Sequence, residues 1–145
     1  MDSPALDPPI APATALTCFL VEDSRVIREN LTATLEEMVG ANIIGFAEDE
    51  GSALHWLHHC DPRCDLMIID IFLKSGTGLV VLAQAKVLQP ALKLVVLTNY
   101  ATPDIRHRCQ LLGADRVFDK SAEIEELLTY CHTVHTAQPQ PQPQP

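Results

Sequence analysis

A doubly wound α/β fold, built from five successive strand–helix units, is predicted by three features of the sequence. Short unbroken apolar runs alternate with segments of helical period five times between Leu16 and Thr136. The apolar runs are nearly continuous rather than alternating, as expected of parallel strands covered on both faces. Residues able to do chemistry cluster where those runs end, and open α/β sheets bind ligands at the carboxyl ends of their strands. With 145 residues, the chain suits one well-cored domain and not two of ordinary size.

The first strand is expected over Leu16–Val21, followed by a helix from Arg25 to Val39 with Ile27, Leu31, Leu35 and Met38 on one face. Gly40 stops that helix. Asn42–Ala47, rich in Ile and Phe, is the second strand. Ser52 to His59 forms a short helix ended by Asp61-Pro62. Leu66–Asp70 is the third strand; a turn from Lys74 to Gly78 leads to a helix over Leu79–Leu88, with Pro90 just beyond. Leu92–Thr98 is the fourth strand. Thr102-Pro103 is a good cap and first-turn pair for a fourth helix, which Gly113 stops. Arg116–Phe118 is a short fifth strand. Ser121 is the expected cap of the last helix, with Ile124, Leu127, Leu128 and Cys131 facing inward and Glu123, Glu125 and Glu126 at its positive end.

Residues 1–14, rich in Pro and Ala, read as a disordered tail, and 137–145, a Pro-Gln alternation, as a second. The domain is therefore expected over 15–136. A net charge of −9 argues against direct binding of nucleic acid, which needs a basic face, and against an anionic membrane surface. No segment has the ~18 consecutive apolar residues of a membrane span, and prolines interrupt any signal-like stretch near the start. The five cysteines cannot all pair within one chain. Cys18 and Cys131 read as small core residues, and a reducing, cytoplasmic compartment is expected.

The chemistry starts from Asp70, a carboxylate closing the most apolar run, Leu66-Met67-Ile68-Ile69. An ionised group withdrawn from water needs a cation or donors. Glu22-Asp23 closes the first strand, Thr98 the fourth, and Lys120 follows the fifth, so four strand ends deliver two more acids, a hydroxyl and an ammonium. At ~4 Å and an effective dielectric of 20, each like-charge contact costs roughly 4 kcal/mol. Protonation, a lysine or a cation must relieve it. A hard divalent ion fits an all-oxygen set, and Mg²⁺ needs only one or two carboxylates plus a phosphate oxygen. Asp70 is then placed as a nucleophile toward a phosphoryl group, with Mg²⁺ and Lys120 neutralising its oxygens and Thr98 donating a hydrogen bond.

These segments resemble the receiver domain of bacterial response regulators. The matching motifs are Leu20-Val21-Glu22-Asp23-Ser24, Ile69-Asp70 with Gly78 eight residues on, Leu97-Thr98, and Phe118-Asp119-Lys120-Ser121. The resemblance implies a flavodoxin-like sheet of order 2-1-3-4-5 and phosphotransfer to Asp70 from a histidine kinase or phosphotransfer protein. It also implies Mg²⁺ held by Glu22, Asp23, Asp70 and the main-chain carbonyl of Phe72, with Asp23 the more direct of the two neighbouring acids. Such a chain is a phosphoacceptor rather than an enzyme. Because no DNA-binding or catalytic segment follows the last helix here, a stand-alone receiver read by a separate protein effector is expected. A phosphorelay shuttle and a phosphorylation-independent interaction module are the alternatives.

Three positions depart from the family pattern. Asn99 replaces the small residue after the threonine, Lys74 replaces a loop proline, and Val117 stands where a switch aromatic is usual, with Phe118 on the opposite face of the strand. Phe72 and Tyr100 occupy the positions flanking the path of hydrolytic water and are expected to shield an acyl phosphate. A dehalogenase-type phosphatase would want an acid at Phe72, and a flavodoxin a phosphate loop at Glu22-Asp23-Ser24-Arg25. The group His55, His58, His59, Cys60 and Cys64 invites a zinc reading. Its spacing is loose for that metal, and it lies at the far end of the third strand.

Overall fold

The computed structural model describes residues 15–59 and 64–137. Five strands, β1 (Thr17–Val21), β2 (Asn42–Ala47), β3 (Leu66–Ile69), β4 (Lys93–Thr98) and β5 (Arg116–Asp119), form one sheet of order β2-β1-β3-β4-β5. Every pairing is parallel. The crossover helices are α1 (Arg25–Val39), α2 (Glu50–His59), α3 (Gly78–Leu88), α4 (Pro103–Leu111) and α5 (Ile124–Ala137). This is the flavodoxin-like architecture expected from the alternation.

Period-two alternation along the strands divides the core in two. Phe19, Val21, Met67, Ile69, Leu94, Val96 and Val117 point to one face, where they meet Ala53 and Leu57 of α2, Val81 and Leu82 of α3 and Cys109 of α4. Cys18, Leu20, Leu66, Ile68, Val95, Leu97 and Phe118 point to the other, against Leu31 and Leu35 of α1 and Leu127 and Cys131 of α5. Val117 and Phe118 thus fall on opposite faces. Cys18 and Cys131 are fully buried thiols; burial pushes Cys131 up to about 12 and Cys18 higher still, which keeps both protonated.

Several boundaries differ from expectation for local reasons. On α1 the buried stripe is Arg28, Leu31 and Leu35; Met38 is 67% exposed, and Val39 completes the inner face instead. Helix α2 starts two residues early, at Glu50, because the Asp49 carboxylate accepts the Ser52 N–H at 2.8 Å and caps it. Ser121 does not cap α5, which begins at Ile124. The turn before it is made by Asp119, whose Oδ1 accepts the N–H groups of Ser121 and Ala122 at 2.8 and 2.9 Å, while the Ser121 hydroxyl donates to Asn99 Oδ1. Gly40 closes α1 and Thr102 caps α4 before Pro103, as the sequence signals, and Ser24 caps α1 by accepting the Ile27 N–H. The Asp61-Pro62 break, residues 1–14 and residues 138–145 lie outside the described residues, while α5 runs to Ala137, the first position of the expected second tail.

Candidate acidic pocket at the strand ends

Parallel register brings the ends of β1, β3, β4 and β5 to one edge. Val21 pairs with Ile69, so Glu22 and Asp70 leave the sheet side by side; the Asp70 N–H donates to the Val21 carbonyl at 2.9 Å. Thr98 pairs with Asp119, and the Lys120 N–H donates to the Thr98 carbonyl at 2.8 Å, which aims the lysine back across the sheet. Behind Asp70 the chain folds tightly. The Gly78 N–H donates to the Ile71 carbonyl at 2.8 Å, and a Cβ at residue 78 would press into the Asp70 carbonyl and lie 2.8 Å from Ile71 Cα. Only glycine fits there.

The result is a cleft of about 210 Å³ lined by Glu22, Asp23, Asp70, Phe72, Asn99, Tyr100 and Lys120, among others. Glu22 and Asp70 are buried, at 4% and 8% exposure, and Thr98 is fully buried. Lys120 Nζ donates to Glu22 Oε1 at 2.7 Å and to Asp70 Oδ2 at 2.9 Å. Burial draws the ammonium pKa down, but hydrogen bonds and charge from Glu22 and Asp70 outweigh it and hold it above its ordinary value. One carboxylate oxygen from each of Glu22, Asp23 and Asp70 lies within 4.8 Å of the other two. The one ammonium pairs with Glu22 and Asp70 and leaves Asp23 without it, so three acids outnumber the single lysine. The cluster's donors are all oxygens, and that set suits a hard divalent cation.

Backbone donors fix the acids. The Ser24 N–H reaches Glu22 Oε2 at 3.0 Å, and the Phe72 N–H reaches Asp70 Oδ1 at 3.3 Å. Thr98 Oγ1 accepts the Tyr100 N–H at 3.1 Å. The Phe72 and Tyr100 rings meet edge to face at 4.8 Å, and both are more than half exposed over the cleft. Lys74 pairs with Glu48 at 3.3 Å at the rim.

Two arginines that sequence reasoning passed over turn out to brace this edge. Arg28 is buried in α1, donates from Nη1 to the Glu22 carbonyl at 2.9 Å, pairs with Glu48 at 3.1 Å and lies 4.0 Å from the Phe46 ring centroid. A charged residue three before Leu31 on a buried stripe was the available signal. Arg106 joins α4 to β5 and α5, and nothing in its local sequence foretells that. The His55 and His59 rings sit 4.4 Å apart on α2, while the Cys64 thiol donates to the Leu66 carbonyl at 3.6 Å. Cys60 lies outside the described residues. Among the described residues, Glu22, Asp23 and Asp70 form the one group of three or more ligating side chains close enough to share a metal.

A doubly wound parallel sheet with three acids and a lysine at its carboxyl edge defines a class of phosphate-handling signalling domains. A family model described as the response regulator receiver domain matches residues 18–132, and the chain belongs to that family. It is 29% identical over 109 residues to YvfU, an uncharacterized transcriptional regulatory protein of Bacillus subtilis; the match covers 75% of this chain and 54% of that protein. The chain spans about half or less of the length of the curated relatives it matches. A response regulator protein from Burkholderia pseudomallei, solved with a phosphorylated aspartic acid, calcium ion and citrate, superposes with a TM-score of 0.70 at 25% identity, over 83% of this chain and 68% of that one. A LuxR-family two-component response regulator from Aurantimonas shares the fold, with a TM-score of 0.76 at 18% identity over 86% and 87% of the two chains. Among the described residues, no helix is long and apolar enough to cross a membrane.

Proposed function

We propose that Asp70 accepts a phosphoryl group from the phosphohistidine of a histidine kinase or phosphotransfer protein. The observation that carries this reading is the placement of Lys120 Nζ between Glu22 and Asp70, at 2.7 and 2.9 Å, with Asp23 in the same cluster. An Asp70 carboxylate oxygen forms a bond to phosphorus as the P–N bond breaks, and the bonding pair returns to the imidazole nitrogen. Glu22, Asp23, Asp70 and the Phe72 carbonyl would hold Mg²⁺. When bound, that ion supplies positive charge for the transferring phosphoryl oxygens. Lys120 neutralises the same charge from the far side, and the Thr98 hydroxyl donates to a phosphoryl oxygen once it leaves the Tyr100 N–H.

Membership of the receiver family supports reading the chain as a phosphoacceptor rather than a turnover enzyme. The phosphorylated state is read through protein contacts, in a cytoplasmic setting, with no direct nucleic-acid contact by this domain. Its relatives named as transcriptional regulators fit a place in two-component control of gene expression.

Incubation with acetyl phosphate and Mg²⁺, followed by intact mass, tests the reading. Wild type is expected to gain one phosphoryl group, and Asp70→Asn or chelation of the metal to abolish the gain. A wild-type chain that stays unmodified, or an Asp70→Asn chain that is modified equally, contradicts it.

A further inference from the structure

The loop 99–102 connects the pocket to α4. It starts at Thr98, whose hydroxyl accepts the Tyr100 N–H, and it closes with the Thr102 N–H donating to the Tyr100 carbonyl at 2.8 Å. If the Thr98 hydroxyl turns to a phosphoryl group on Asp70, the Tyr100 N–H loses its acceptor and the loop must rearrange. Something must then carry that change outward. The side chain three residues before Lys120 is Val117, a short group buried in the core, with no reach from pocket to surface.

Arg106 has that reach. Its Nε donates to the Ala101 carbonyl in the loop at 3.0 Å, its Nη1 to the Val117 carbonyl in β5 at 2.8 Å, and its Nη2 to Glu123 Oε1 at 2.7 Å. Glu123 Oε1 also accepts the Asp119 N–H at 2.8 Å, so one carboxylate oxygen joins Arg106 to the backbone just before Lys120. The Arg106 hydrogen bond is the foremost cause holding the Glu123 carboxyl below its ordinary range. Helix α4 fully buries only Cys109, with Ile105 packed beside it, so these polar bonds add to a small apolar anchor. Arg106, Glu123, Arg116 and Tyr130 also line a groove of about 740 Å³ between α4, β5 and α5. A guanidinium is a rigid planar fork; displacement of the Ala101 carbonyl either breaks its bond to Nε or tilts the fork against its other two bonds.

We propose that Arg106 is the positioning residue that transmits a change at Thr98 to the α4–β5–α5 face. The fork joins the loop, β5 and the residue just before α5 through three discrete hydrogen bonds, and making or losing one of them is the kind of discrete change that switches use. This inference rests on the acceptor reading of Asp70.

The test is amide NMR of the full chain with Mg²⁺ and beryllofluoride, a stable phosphoryl analogue, for wild type, Arg106→Met and Arg106→Lys. In wild type, signals of Asp70 and Phe72 in the pocket and of Glu126 and Tyr130 on α5 are expected to shift together. Both variants are expected to keep the pocket shifts while the α5 shifts shrink by about threefold or more. The wild-type Arg106 Nε–H signal supplies a readout that needs no variant, and it is expected to move on addition of beryllofluoride. Full α5 shifts in either folded variant, or an unmoved Nε–H signal, overturn the proposal; a merely structural Arg106 would lower stability and leave the α5 response intact. Absent pocket shifts in wild type would overturn the acceptor reading itself, a failure distinct from pocket shifts that reach α5 without Arg106.

Discussion

Both ends of the sheet carry carboxylates, and the two sets meet different partners. At the amino ends of the strands, Asp65 Oδ2 accepts the N–H and hydroxyl of Thr17 at 2.9 and 3.0 Å. Asp115 Oδ2 there accepts the Leu94 N–H at 2.8 Å. Each is an isolated acid satisfying a strand start, so its charge is spent on the fold. At the carboxyl ends, Glu22, Asp23 and Asp70 crowd within 4.8 Å, and one lysine pairs with Glu22 and Asp70. The contrast teaches that an acid's role follows from what donors surround it. A carboxylate met only by neutral donors is structural, and a group of carboxylates that outnumbers its one ammonium suits a cation.

Substitutions at the two ends should therefore have opposite signs. Asp65→Ala leaves the Thr17 N–H and hydroxyl without their carboxylate and should cost about 1–3 kcal/mol of stability. Urea unfolding reads that loss, and phosphorylation from acetyl phosphate should stay at the wild-type level in the folded fraction. A stable Asp65→Ala chain would remove the structural assignment. Asp23→Asn should do the reverse. In metal-free buffer it relieves like-charge repulsion and should stabilise the chain by about 1 kcal/mol. Added Mg²⁺ should stabilise wild type by ligand linkage and leave the variant nearly unmoved. Equal responses to Mg²⁺ in the two chains would break the comparison at its functional end.

The smallest expected effect concerns the aromatic pair over the pocket. Phe72→Asn removes the edge-to-face contact with Tyr100 and opens the cleft to water. The phosphorylated lifetime, followed by loss of the mass adduct, should be shorter than in wild type, by a few-fold at roughly 1 kcal/mol of barrier. Equal or slower loss in the variant would show that the rings do not shield the bond.

The strands were legible because each side chain's burial follows from its own parity along an apolar run, and the runs are short and bounded. Their order came from resemblance and was met in full. Glu22, Asp70 and Thr98 were legible for a related reason, standing where an apolar run stops, and Asp23 and Lys120 lie one residue further on. Helix faces were less so. Met38 keeps the period of the α1 stripe, yet the helix ends over open solvent at Gly40, and no sequence period encodes where the neighbouring layer stops. Ser121 has the chemistry of a cap, but Asp119 Oδ1 takes the Ser121 and Ala122 N–H groups and the Asp119 carbonyl takes that of Glu123, so a turn intervenes and α5 starts only at Ile124. Arg28 and Arg106 were missed because their acceptors, the Glu22, Ala101 and Val117 carbonyls, belong to other segments that only the folded chain brings near.

The central claim is that the crowded carboxyl-end acids take a divalent ion and a covalent phosphoryl group at Asp70. Borohydride reduction of the acetyl phosphate-treated chain, followed by peptide mass mapping, tests it most directly, because an aspartyl phosphate is reduced to homoserine at the residue that carried it. Conversion at residue 70 alone, dependent on Mg²⁺, is the predicted result. Homoserine at residue 23, reduction of Glu22 to its longer hydroxypropyl side chain, or no reduction anywhere, would contradict the account.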